Sequence, residues 1–166
     1  MTTPKKHSTF KTMKTYVLIL AKTFPKGHPR AGEPTYFKEE YLNERKIHSF
    51  RGNCDRWAKI LHQVSEGKAI LSIRVWRGLP YRSKQEVLRN LYFYDEVGYE
   101  IIDMAALNKD ERIKKSIALN DGMALKDWEE WFEKELHSKT VAPMILIHFT
   151  TLRYKDYIPN SIIKSY

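Results

Sequence analysis

Three apolar runs rich in β-branched residues limit what this chain can fold into: TYVLILA at 15–21, AILSIRVW at 69–76 and PMILIHFTTLRY at 143–154. Runs of that length and branching read as buried strands, and none approaches the ~18–20 apolar residues of a membrane span. Helical periodicity falls unevenly between them. TYFKEEYLNER (35–45) places Phe37, Tyr41 and Leu42 on one face, and DRWAKILHQVSEG (55–67) sets Trp57, Ile60, Leu61 and Val64 in register before Gly67 as a stop. Strands are expected again at 86–95 and 99–103, followed by a polar stretch holding a short helix and a loop. A helix is expected at 123–136, where Leu125, Trp128, Phe132 and Leu136 form one stripe. A doubly wound parallel sheet needs regular strand–helix alternation, which this order lacks. Helices gathered beside several strands predict an α+β fold, its sheet curled or closed into a β-barrel with flanking helices. The divisions expected are a flexible basic arm at 1–14, one domain at 15–154 and a C-terminal tail at 155–166.

Charge is distributed by region. Residues 1–32 hold seven Lys or Arg and no acid, and residues 45–92 hold eleven basic against three acidic residues. Residues 93–136 reverse the sign, with six basic and twelve acidic residues. A polarised basic surface attracts phosphates and other anions, although the same composition also makes a merely solvated surface. The single cysteine, Cys54, rules out an internal disulfide and a multi-cysteine metal site. With no apolar core for a signal peptide in MTTPKKHSTFKTMK, the expectation is a cytoplasmic protein without membrane contact.

The densest polar cluster is KIHSFRGN, residues 46–53, which places Lys46, His48, Ser49, Arg51 and Asn53 at the junction of two expected helices. Such a junction either lines a site or is a solvated basic loop. Downstream, RVWRGLPYRSK interleaves Arg74, Trp76, Arg77, Tyr81, Arg82 and Lys84 around a turn. Cations that meet phosphates and aromatics on which bases stack are the composition of a nucleic-acid surface, and also of a basic hairpin with Trp76 in the core. The loop FPKGHPRAGEP (24–34) is long enough to carry function, and its His28 can reach the same cleft. His28, His62 and His148 lack metal-site spacing, so neither a metal nor another cofactor is expected.

KIHSFR resembles the Lys-x-x-Thr-x-Arg signature of ASCH domains, a branch of the PUA-like superfamily. Lys46 matches the lysine, Ser49 the threonine position, Phe50 the isoleucine and Arg51 the arginine, whereas the glycine that precedes the motif is replaced. NDGMALKDWEEWF is similar to the segment opening the late helix of small ASCH proteins, with Asp121 where they carry glutamate, and PMILIHF resembles their closing strand. The resemblance covers residues 35–152. It implies a PUA-like domain that binds RNA, a nucleotide or a modified nucleoside. Alternatively it implies a metal-independent amidohydrolase acting on an acylated nucleoside such as N4-acetylcytidine.

In the enzyme reading Lys46 is the base, Ser49 the nucleophile or oxyanion donor, and Asp121 the group that orients Lys46. The plainer alternatives are that Asp121 and Gly122 form a turn and cap, and that Ser49 satisfies backbone groups. Serine for threonine and aspartate for glutamate both depart from the family pattern, and the second shortens the reach of the carboxylate. In the binding reading the cleft is lined by Lys46, Ser49, Arg51, Arg74 and Asp121, with His28, His48, Asn53, Trp76, Tyr81, Arg82 and Lys84 as further contacts. A third expectation is an interaction module whose basic face meets an acidic protein.

Overall fold

A computed structural model describes residues 12–164, so residues 1–11 of the expected basic arm lie outside the described residues. Lys14–Ile19 forms β1, and the chain then passes through the proline-rich loop to a short helix, α1, at Phe37–Leu42. The four residues His48–Arg51 form β2, followed by α2 at Cys54–Ser65, β3 at Ala69–Trp76 and β4 at Gln85–Leu91. β5 occupies Gly98–Asp103. The polar stretch after it is more helical than expected, giving α3 at Met104–Leu107 and α4 at Glu111–Asn120. The late helix is two pieces, α5 at Leu125–Trp131 and α6 at Glu133–Leu136, interrupted at Phe132. β6 at Pro143–His148 and the two-residue β7 at Ile163–Lys164 complete the order.

The α+β expectation holds, but the sheet is not a closed barrel. β1, β3 and β4 make one three-stranded sheet, with β1 parallel and β4 antiparallel to β3. β2, β6, β5 and β7 make a second, antiparallel sheet. At the approach of β1 to β2 a side chain does the joining, because Arg51 Nη2 donates to the Ile19 carbonyl at 2.6 Å. The amphipathic α2 packs against β3 of one sheet and β5 and β6 of the other, burying Trp57, Ile60, Leu61 and Val64 between them. Burial of this kind contributes about 1.5–3 kcal/mol for each large apolar side chain.

The segment after 154 adds buried Ile158 and Ile162 to the core, and the Ile162 carbonyl accepts from the Asp103 amide at 2.8 Å. The apolar run that starts β6 leaves the sheet after His148, and Arg153 then donates to the Thr150 and Leu152 carbonyls, each at 2.7 Å. β4 likewise ends at Leu91, where the Asp95 carboxylate accepts from the Tyr92 amide and turns the chain into a 3₁₀ turn. Leu42, expected on the buried face of α1, is exposed.

Candidate functional site

β2 alternates, as a strand must: His48 and Phe50 point one way, Ser49 and Arg51 the other. Just before it, Lys46 makes a single bridge to Asp121, the residue that ends α4. Lys46 Nζ donates to Asp121 Oδ1 at 2.7 Å and to its carbonyl oxygen at 2.8 Å. Both residues are 2% exposed. The bend that presents Asp121 depends on Gly122, which has φ of +79° and leaves no room for a side chain. A Cβ there would lie 3.1 Å from Lys46 Cβ and 3.2 Å from Glu40 Cβ.

Asp121 is held from a third side, since Trp128 of α5 donates from Nε1 to Oδ2 at 3.2 Å. Ser49 Oγ accepts from Arg51 Nη1 at 2.6 Å, which leaves its own O–H free to donate. These groups open on a cavity of about 280 Å³ lined by Lys46, Ser49, Arg51 and Asp121 among the aromatic rings of Phe37, Phe50, Trp131 and Phe132. The Lys46 ammonium also lies 4.2 Å from the centre of the Phe37 ring. One wall of the cavity is therefore aromatic and its floor is a desolvated ion pair.

Burial dominates the electrostatics. It pushes the Lys46 ammonium below the usual lysine range, against the pull of Asp121. Burial alone would raise the Asp121 carboxyl, but Lys46 and His48 outweigh it and hold the group below its ordinary value. Burial lowers the Arg51 guanidinium to about 10, still fully charged at neutral pH.

Behind the pair lies a buried chain of polar groups. Asn120 Nδ2 donates to the Tyr154 hydroxyl at 2.9 Å, and that hydroxyl lies 2.8 Å from His48 Nε2. If Tyr154 donates onward, His48 Nε2 is the acceptor and the ring proton sits on Nδ1, facing Asp121 Oδ1 at 3.5 Å. The other tautomer would aim a lone pair at the carboxylate. Across the sheet, His148 stands opposite His48 and donates from Nε2 to Glu100 Oε1 at 2.6 Å, while Glu100 also accepts from the Tyr154 and Lys155 amides at 2.7 Å. Burial lowers both histidines, His148 to about 4, so both are neutral at pH 7.

The sequence-predicted residues divide into three groups. Lys46, Ser49, Arg51 and Asp121 converge on the cavity, with His48 directly behind it. Arg74 does not line it; its guanidinium bonds Ser72 Oγ and Gln85 Oε1 on β3 and β4. Trp76 lines a neighbouring pocket, and Tyr81, Arg82 and Lys84 stand exposed on the turn beyond it. Asn53 caps α2 by accepting from the Arg56 amide.

His28 is buried against α5, with Nε2 2.9 Å from the Asp127 carbonyl and Nδ1 accepting from the Arg30 amide. Its ring centre is 6.1 Å from that of Trp131, so it supports the cavity wall from behind. His28, Asp127 and Glu130 bring ligand atoms within 4.8 Å of one another. Both His28 nitrogens are already engaged, however, and Arg30 occupies the Asp127 carboxylate at 2.7 Å.

Sequence reasoning missed Trp128 as a donor to the site, having placed it on an apolar stripe. It also missed Tyr154, Asn120 and Glu100. The available signal was His148, a lone ionisable residue inside the apolar run PMILIHF. Among the described residues, no helix is long and apolar enough to cross a membrane. No family model, no curated protein and no solved structure matches the chain.

Proposed function

We propose that the cavity at Lys46 binds a nucleoside or nucleotide, in a PUA-like domain of the ASCH type that works in the cytoplasm. The observation that carries this reading is the meeting of the two segments on which the resemblance rests. Lys46, Ser49 and Arg51 come from one, Asp121 comes from the other, and all four line one aromatic-walled cavity. A base can lie against Phe37, Trp131 or Phe132 while Ser49 and Arg51 offer donors to its edge. At about 280 Å³ the cavity is just under the ~300–1,000 Å³ of pockets for drug-sized ligands, which suits one nucleoside.

A hydrolytic reading has one observation in its favour: burial lowers the Lys46 ammonium below its ordinary range, the direction a base requires, beside a serine whose hydroxyl proton is uncommitted. Against it, the Lys46 hydrogen bonds go to Asp121 and not to Ser49, and donation to a carboxylate keeps the lysine an ammonium. Binding requires no change in that arrangement.

The test is a thermal-shift panel of nucleosides and 5′-mononucleotides on wild type, Lys46→Met and Ser49→Ala, with cytidine release from N4-acetylcytidine followed in parallel. A ligand at a hundred times its Kd stabilises by about 2.7 kcal/mol, worth several degrees in Tm. That shift should be present in wild type and absent in Lys46→Met. Cytidine release abolished by either variant would move the conclusion to hydrolysis, and a flat panel together with no cytidine release in wild type would contradict both readings.

A further inference from the structure

We propose that the cavity between α4 and the segment after β6 is a second ligand site, for a small organic carboxylate with an apolar body, and that it acts on the Lys46 pair through Tyr154. This cavity measures about 370 Å³, and none of its lining residues lines the cavity at Lys46. The second site stands whether or not the Lys46 cavity takes a nucleoside; only its effect on nucleoside affinity rests on the reading above.

The lining divides by chemistry. Buried Tyr154 and Ile158 and half-buried Ile113 form an apolar floor, and Tyr157 stands exposed at the rim. Arg112 and Ser116 lie one helical turn apart on α4, both exposed, and neither side chain has a hydrogen-bond or ion-pair partner among the described residues. The one acid in the lining, Asp110, is engaged as the cap of α4, where its carboxylate accepts from the Ile113 amide at 3.1 Å. A free cation and a free hydroxyl over an apolar floor suit an anionic head on an apolar body, whereas an amine would meet Arg112 as a like charge.

Tyr154 joins the two sites. It lines this cavity, and its hydroxyl accepts from Asn120 Nδ2 at 2.9 Å and lies 2.8 Å from His48 Nε2. His48 Nδ1 in turn lies 3.5 Å from Asp121 Oδ1, the oxygen that receives the Lys46 ammonium. At that distance the carboxylate does not fix the ring, so the Tyr154 hydroxyl sets which nitrogen carries the proton. Nothing in the Lys46 cavity touches a ligand through these groups, yet the buried polar chain runs from one cavity to the other. A ligand packed on Tyr154 holds its hydroxyl on His48, and His48 then presents its N–H to the carboxylate that receives Lys46. The coupling between the sites is therefore positive.

The test is an NMR titration of 3-phenylpropanoate, with 3-phenylpropanamide and 3-phenylpropylamine as its neutral and cationic counterparts, into wild type, Arg112→Glu and Tyr154→Phe. The reporter is the Trp128 indole N–H, which donates to Asp121 Oδ2 and lines neither cavity. Wild type should bind the acid at least about tenfold tighter than the amide or the amine, and Arg112→Glu, at an exposed position, should lose at least about tenfold. The Trp128 signal should shift as the acid binds wild type. Tyr154→Phe keeps the ring, so it should bind the acid within about threefold but without the Trp128 shift. Asn120→Ala removes the other bond to that hydroxyl and should reduce the shift by about half or more, which decides the coupling if Tyr154→Phe does not fold. At saturation the acid should raise nucleoside affinity about fivefold. No saturable binding of the acid, equal binding of all three compounds, or binding indifferent to Arg112→Glu overturns the site. A Trp128 signal that stays still, that moves equally in the Tyr154 and Asn120 variants, or that moves while the measured nucleoside affinity stays the same overturns the coupling. A Trp128 shift without any nucleoside binding supports the second site and contradicts the nucleoside reading instead.

Discussion

Lys46 and Lys114 are both 2% exposed, and each places its ammonium 2.7 Å from a carboxylate, yet burial wins at one and pairing at the other. At Lys46 desolvation prevails and the pKa falls. At Lys114 desolvation is again the largest single effect, but Glu111 and Glu129 together overcome it and the pKa rises. The partners explain the difference. The Asp121 side chain is 3% exposed, whereas those of Glu111 and Glu129 are 73% and 37% exposed. Lys114 is itself covered, but its carboxylate partners reach the surface, and together they pin α4 to α5. Lys46 is a charge held inside the protein by a charge that is also inside, and a desolvated pair is costly unless something polar is to be met there.

The sharpest break in that comparison is Asp121→Ala. It leaves Lys46 its bond to the residue 121 carbonyl but no buried counter-charge, and should cost about 3–5 kcal/mol in urea unfolding. The double variant Lys46→Met, Asp121→Asn should recover part of this, since it removes both charges. A single-variant cost below about 1 kcal/mol would mean the pair is solvated after all.

Acid sharpens the comparison from a second direction, because only Lys46 is backed by buried histidines. The folded-state pKa of His148 lies near 4, below its unfolded value of about 6.5, so the unfolded chain binds more protons between those two values. Its neutral form stabilises the protein fully above about pH 6.5, and up to about 3 kcal/mol is lost as pH falls toward 4. A chemical-denaturation series from pH 7 to pH 4 should show this slope, flattened in His148→Gln. Asp121 adds a second loss below its unfolded value of about 3.9, because its folded pKa is depressed.

Gly122→Ala acts on the Lys46 side alone. Forcing a side chain into positive φ against Lys46 and Glu40 should cost about 1–2 kcal/mol and weaken ligand binding with it. The smallest effect belongs to Lys114→Met, which keeps the buried stem and removes the pairs with Glu111 and Glu129 and one hydrogen bond to Asn108 Oδ1. About 1 kcal/mol or less is expected, with no change in ligand affinity.

What the sequence disclosed follows the same division between local and non-local physics. β3 was legible at its full length because AILSIRVW is β-branched and bounded by Gly67 and Gly78. The stripe of Trp128, Phe132 and Leu136 was legible because period alone defines it, and all three are buried. β2 was not: four residues beginning with a histidine show no apolar alternation, since His48 is buried through its bond to Tyr154, 106 residues away. Closure of the sheet was misjudged because nothing local says that Arg51, rather than a backbone ladder, joins β1 to β2. The pairing of Lys46 with Asp121 across 75 residues entered only through a motif resemblance. Arg74 and Trp76 looked equivalent to Arg51 in composition, but the pleat of β3 assigns them to other neighbours.

The most direct test of the account is nucleoside binding to three proteins, measured by calorimetry: wild type, Lys46→Met and Lys114→Met. The account predicts that wild type and Lys114→Met bind alike and that Lys46→Met loses at least about thirtyfold, as expected when a buried charged contact is removed. Equal binding by all three, or equal losses in both lysine variants, would contradict the claim that the desolvated pair at Lys46 is the floor of a binding site.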